Sequence, residues 1–243
     1  MTAGTIMNRS HLPLRLWFMA AHIVTSHSNA ISALQLPAQL GLGGYKTAWL
    51  LLTKLRRAMV DPDRSLLEGV VEIDETDIPL RRKDDPPAGG QGRSPMGKML
   101  LAGPVELSPE GRPRRIRLAP IADSSAASLR PFVGAVAAPG ATVITDGWSG
   151  YLGLPDHAHA PKVVGKMASH VVLRWTHRVF VNLKRWGLGV FHGLRRPHLQ
   201  RYLDEFVRRW NQRRHAASAF DALLSFGARL APATARDFVE QRA

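Results

Sequence analysis

The sequence predicts an α/β protein, a mixed sheet flanked by helices and preceded by a small all-α region, and three observations lead there. Up to Met59, apolar residues recur at helical spacing. After Asp61-Pro62-Asp63 the pattern changes to short apolar runs separated by turn residues, which is how strands read. One helical stretch interrupts these strands and helical spacing returns beyond Thr176, an order that builds a mixed sheet between helices.

In the helical region, Leu16, Met19, Ala20 and Ile23 share one face, and Leu34, Leu36 and Leu40 share another. Ser26 to Asn29 and Gly41 to Gly44 break the pattern, because serine, asparagine and glycine favour turns. A last helix is expected from Lys46 to Val60, carrying Lys46, Lys54, Arg56 and Arg57. Ile31 to Leu40, the glycine break and this basic segment have a helix-turn-helix layout with a DNA-facing second helix; a small bundle with a solvated basic face fits the same residues. Strands follow at Val70–Asp74, Met99–Leu107, Ile116–Leu118 and Ala141–Thr145, with a short fifth at Lys162–Val164. Arg81 to Pro95, charged and rich in proline and glycine, reads as a hairpin loop. Ser124 to Val136 reads as a helix, and Leu199, Tyr202, Leu203, Phe206 and Val207 fall at helical spacing with Arg201, Arg208 and Arg209 among them. The expected division is a helix-turn-helix-like region at 1–63 and a larger α/β domain at 64–243.

Composition narrows the partners. The 243 residues hold 33 Lys and Arg against 19 Asp and Glu, a formal charge of +14. That excess, with a sequence pI near 11.2, points to a polyanion, nucleic acid ahead of a membrane surface. Cysteine is absent, which excludes disulfides and thiolate zinc sites and fits a reducing cytoplasm, so any metal sits on oxygen or imidazole. Leu12 to Val24 after Arg9 is loosely signal-like, but Arg15, Trp17 and His22 interrupt it. No stretch reaches the roughly 18 apolar residues of a membrane span.

Gly92-Arg93-Ser94-Pro95-Met96-Gly97-Lys98 has the glycine and lysine spacing of a phosphate-binding loop. That loop needs a following helix and a Ser or Thr after the lysine, whereas here Met99 stands in that place and a strand follows. The motif is declined. Two carboxylates have a more telling position: Asp74 near the end of the first strand, and Asp146 directly after Val143-Ile144-Thr145. An acid just past the last buried residue of a strand lies at the sheet's rim, where neighbouring strands can bring two such groups together around magnesium or manganese. Asp146-Gly147 also suits an ordinary turn, and Glu72, Glu75 and Asp77 crowd the strand of Asp74, so these residues alone leave a solvated role open.

A longer ordered set carries more weight. Glu72-Ile73-Asp74-Glu75-Thr76, Gly97-Lys98, Val143 through Tyr151, His177-Arg178-Val179-Phe180-Val181-Asn182-Leu183-Lys184 and His198 through Phe206 resemble, in order and spacing, the ISXO-type insertion-sequence transposases. The resemblance runs from near the start to about Arg214, and Thr2 to Met7 resembles the stretch that follows a zinc ribbon in that group. It implies a ribonuclease-H-like catalytic domain in which Asp74 and Asp146 are the first two ligands of Mg2+ or Mn2+. It places Asn182 third, with Lys184 as the accompanying basic residue; His177 and, more weakly, Glu205 are the alternatives for the third place. Lys98, Arg178 and Arg185 would join Lys46, Lys54, Arg56 and Arg57 in contacting DNA, and Trp148 is expected in the core, with Tyr151 open between core and base stacking. The zinc ribbon has no cysteines to be built from, so end recognition without it is expected to be impaired. The implied activity is DNA cleavage and strand transfer at the terminal inverted repeats of an element, in a homo-oligomer. The competing readings are a nuclease or inactive remnant on the same fold, and a DNA-binding regulator that ignores magnesium.

Overall fold

The structure, a computed structural model, describes residues 2–79, 97–162 and 172–239. In chain order its elements are α1 (Leu14–Ser26), α2 (Leu36–Leu40), α3 (Tyr45–Arg57), β1 (Val70–Pro79), β2 (Lys98–Leu107), β3 (Pro113–Ile116), β4 (Ala119–Pro120) and α4 (Ala126–Val136). Then come β5 (Thr142–Thr145), β6 (Ala158–Pro161), α5 (Arg174–Phe191), α6 (Leu199–Asn211), α7 (Ala219–Arg229) and α8 (Ala235–Val239). They form two compact units: residues 65–196, and a helical unit made of residues 1–64 together with 197–243.

In the helical unit, Trp17, Ala20, Ala21 and Val24 of α1 bury against Leu36 and Leu40 of α2 and Ala48, Leu51, Leu52 and Leu55 of α3. The last four recur every three or four residues, so one stripe of α3 faces inward. Gly41 ends α2 in the left-handed region, φ 64°, where a side chain would be strained. The expected larger domain ran to residue 243, but the helices after 196 belong to this unit, drawn in by Leu223 in its core and by a buried ion pair between Arg56 and Glu205.

The other unit is a mixed sheet in the order β3-β2-β1-β5-β6, with β4 pairing β2 as well. β1 and β2 form an antiparallel ladder from Val70↔Leu107 to Pro79↔Lys98. β1 and β5 are parallel, with Glu72 opposite Ile144, and β5 and β6 are parallel in turn. Alternation along β1 decides its two faces. Val71 and Ile73 join Val143 of β5 and bury against Leu129 and Val133 of α4, whereas Glu72 meets α5 on the opposite face. Ser125 caps α4 through its hydroxyl, which accepts from the Ser128 amide.

Several boundaries move. The third strand lies at Pro113–Ile116, and Ala119–Pro120 pairs separately with β2. The last strand among the described residues is Ala158–Pro161, which takes up the parallel register with Thr142–Thr145 and ends before Lys162, where the fifth strand was expected to begin. β2 runs through Met99 straight from Lys98, so no helix follows the glycine-lysine motif. The expected loop at Arg81–Pro95 lies outside the described residues, as do Val163 and Val164.

Candidate active site

The parallel register sets the site. Glu72 stands opposite Ile144, so two residues further along, Asp74 halfway up β1 and Asp146 just past the carboxyl end of β5 come to the same level of the sheet. Both share the face of Glu72 and Ile144, and neighbouring strands lie about 4.8 Å apart. Asp74 is 9% exposed. Its Oδ1 accepts the Glu75 amide at 2.8 Å, and its Oδ2 lies 3.2 Å from the Nε2 of His177 on α5. Asp146 caps its own turn: Oδ1 accepts the Trp148 amide at 3.0 Å. Gly147 makes the turn possible with φ 89°, and its amide donates to Thr145 Oγ1 at 3.2 Å.

Two features hold α5 over this edge. Glu72, 4% exposed, accepts the Trp175 and Thr176 amides at 3.1 and 3.3 Å, capping from β1 the first turn of the helix that carries His177. Burial pushes the Glu72 carboxyl up, and the two amides oppose that shift. Gly103, opposite Asp74 on β2, leaves room for the ring of Phe180: a Cβ there would stand 2.8 Å from Phe180 Cζ and 3.0 Å from Leu118 Cδ2. The Phe180 ring in turn meets the His177 imidazole edge-on, with centroids 6.5 Å apart.

A third carboxyl lies behind the pair. Glu75 points to the opposite face, where it accepts the hydroxyl of Tyr151. Burial, with the charges of Asp74 and Asp146 added, pushes its carboxyl up to about 7 against the pull of the Tyr151 hydrogen bond. Burial and the Glu75 carboxylate likewise push the Tyr151 hydroxyl up. Asp74, Asp146 and Glu75 are thus close enough for their charges to bear on one another. Tyr151 is fully buried and Trp148 is 51% exposed, the reverse of the expectation for Trp148. The tyrosine fills the space under the short helical turn Ser149–Tyr151, which leaves the tryptophan on the outside.

The expected site residues divide accordingly. His177 lies against Asp74, whereas Asn182, five residues on and so about 140° around the helix, is exposed together with Arg178 and Arg185. Arg178 and Arg174 both approach the Trp175 ring, 5.2 and 4.9 Å from its centroid. Lys184, two turns beyond His177 on the same edge, is half-buried; burial holds its ammonium low, as does Lys98, while Asp77 opposes. In the helical unit Lys46 is exposed at the start of α3. Lys54 and Arg56 are buried: Lys54 Nζ donates to the Ile6 carbonyl at 3.1 Å, and Arg56 Nε pairs with Glu205 at 2.7 Å. Arg57 donates to the Ala231 carbonyl at 2.9 Å. Glu205 also bridges Arg209 at 2.8 Å, so this glutamate is engaged in the core of the helical unit. Sequence reasoning missed the Glu72 cap, the Gly103 recess and the Glu75–Tyr151 pair; the alternation along β1, which puts Glu72 with Asp74 and Glu75 on the other side, held a signal for the first and third.

The strand order, antiparallel on one side of β1 and parallel on the other, with one acid midway along β1, another just past β5 and a helix packed on that face, defines a ribonuclease-H-like domain. The chain belongs to the ISXO2-like transposases: the ISXO2-like transposase domain matches residues 66–211. Among curated proteins nothing matches the chain in sequence. The family makes it an insertion-sequence transposase, a DNA-binding and DNA-processing protein. Among the described residues no helix is long and apolar enough to cross a membrane.

Proposed function

We propose that Asp74, Asp146 and His177 form a DNA-cutting and joining centre that acts at the ends of a mobile element. The observation that carries this is the common level of Asp74 and Asp146 on adjacent parallel strands with His177 Nε2 3.2 Å from Asp74. In the first reaction the oxygen of water bonds to phosphorus as the P–O3′ bond breaks, freeing a 3′-hydroxyl. In the second that hydroxyl attacks a phosphorus of target DNA and displaces another 3′-oxygen.

The donor set fits a hard divalent cation: two carboxylates stand at one level on one face of the sheet, and the charge of both bears on Glu75. Among the described residues no three acidic or imidazole side chains form a ready cage, so Asp74 and Asp146 are the pair that would hold magnesium or manganese. Such an ion, when bound, neutralises charge on phosphate oxygens and activates the attacking oxygen. His177 takes the third place by position, beside Asp74, and Asn182 lies with Arg178 and Arg185 on the exposed stripe of α5, where all three would meet DNA phosphates. Lys184 and Lys98 would add positive charge nearer the acids. In the helical unit the exposed Lys46 and the adjacent Tyr45 and Thr47 are the part of the α2–turn–α3 arrangement placed to touch DNA.

The test is cleavage and joining of a labelled duplex bearing the element's terminal repeat, with magnesium or manganese. Asp74→Ala and Asp146→Ala should abolish product while binding persists. His177→Ala should lower the rate by about 10–100-fold, the usual effect of disturbing a metal centre's immediate surroundings, and Asn182→Ala should leave it within a few-fold. Full activity in both aspartate variants would overturn the assignment. Binding without any cut by the native chain would mark a remnant that has kept only its DNA affinity.

A further inference from the structure

We infer that Trp148 is a fixed stacking platform for an unpaired nucleobase of the DNA strand held at the Asp146 carboxylate; this deepens the proposed function and rests on it. A singly exposed aromatic needs no explanation by itself. Trp148 differs in being exposed and immobilised at once. The residue is 51% exposed. Its indole N–H nonetheless donates to the Ser124 carbonyl at 2.7 Å, and its amide donates to Asp146 Oδ1 at 3.0 Å. The sole polar atom of the side chain is thereby satisfied within the protein. What faces solvent is an apolar surface in one orientation, with its ordering entropy already lost before any ligand arrives.

The local backbone supports that orientation. A Cβ at Gly150 would come within 2.6 Å of the Ser124 carbonyl oxygen and 3.0 Å of Trp148 Cδ1, so the segment passes too close to both for any residue with a side chain. Tyr151, pinned to Glu75 at the next position, anchors the far end of the turn. The platform thus belongs to the same rigid segment as Asp146. A base stacked on it would have its phosphate within about one nucleotide of the carboxylate. Every base has a π face, so the surface suits an unpaired nucleotide of any sequence, whereas a paired base inside duplex DNA has both faces covered.

The test is made without metal, in EDTA, with two probes of one sequence: a blunt duplex, and the same duplex with three unpaired 3′ nucleotides of which one is 2-aminopurine. The native protein should bind the splayed probe more tightly and quench its fluorescence. Trp148→Ala should weaken splayed binding about tenfold, in line with loss of one stacked base, leave blunt binding unchanged and remove the quenching; Trp148→Phe should retain the preference. Thermal unfolding of both variants separates a folding defect from a lost stack, and the phenylalanine variant carries the decision if alanine unfolds. Equal binding of both probes by the native protein, or equal losses on both in Trp148→Ala, would refute the platform alone. Binding of neither probe would refute the proposed DNA-processing function with it.

Discussion

Gly103→Ala is the sharpest probe of how the sheet and α5 hold the site. In an ordinary strand interior this change helps by about 0.5–1 kcal/mol, since glycine loses more backbone freedom on folding. Here the new methyl would meet Phe180 Cζ at 2.8 Å and Leu118 Cδ2 at 3.0 Å, with Phe180 Cε1 nearer still. Ordinary carbon contacts begin near 3.5 Å, so the Phe180 ring must retreat by roughly 0.7 Å or more. Phe180 is 3% exposed and sits three residues from His177, so the retreat passes to the helix. Overpacking of this size costs about 1–3 kcal/mol. A displacement approaching 1 Å at a reacting group lowers rates by about 100-fold. Urea unfolding at unchanged slope should therefore show a loss instead of the usual gain, and strand cleavage should fall by one to two orders of magnitude. Phe180→Leu in the same chain should recover part of both by opening the recess. An alanine variant as stable and as active as the native chain would refute the idea that this contact sets the seat of α5.

Glu75 makes a prediction about pH. Its folded carboxyl is raised, so the stability it contributes is present below the ordinary 4.5 and is lost as pH rises through about 7. That gap corresponds to roughly 3 kcal/mol at about 1.4 kcal/mol per tenfold, so in metal-free buffer Glu75→Gln should gain about 3 kcal/mol on the native chain between pH 4.5 and 8. Parallel stability curves over that range would show that the carboxyl titrates normally. Glu205→Ala should cost about 3–5 kcal/mol, because Arg56 and Arg209 would be left buried without their carboxylate. Circular dichroism should show the helices of that unit melting early; a variant that keeps its stability and loses cleavage would return Glu205 to the list of reacting groups.

Much of this was legible in the sequence where local pattern decides. Val70 to Asp74 reads as a strand because its apolar residues need a core, and an acid at its end reads as a rim group because burying it deeper would be costly. Whether Asp74 and Asp146 meet depends on strand order and register, which residues far apart in sequence determine. Which of His177 and Asn182 lies beside Asp74 turned on helical phase: both lie on α5, and only its docking through Glu72 and Phe180 shows which edge faces the sheet. Lys54 and Arg56 read as part of an exposed, DNA-facing basic surface because charge is normally outside. The partner that makes Arg56 a core residue is Glu205, and nothing local to α3 announces it. Trp148 and Tyr151 sit three residues apart on a short turn with no periodicity to sort them, and packing under α4 selected the tyrosine.

The division of the chain also bears on the order in which it is made. The helical unit is closed by an ion pair whose members, Arg56 and Glu205, are 149 residues apart, with the whole of 65–196 synthesised between them. On the ribosome the sheet unit is complete while α6 and α7 are still to come, so it can fold first, as segments that emerge complete generally do. During that interval α1 to α3 hold Arg56 without its glutamate and a core without Leu223. Premature termination anywhere after α5 would thus release a finished sheet joined to an unfinished helical unit, and such fragments should be the first products that proteases remove.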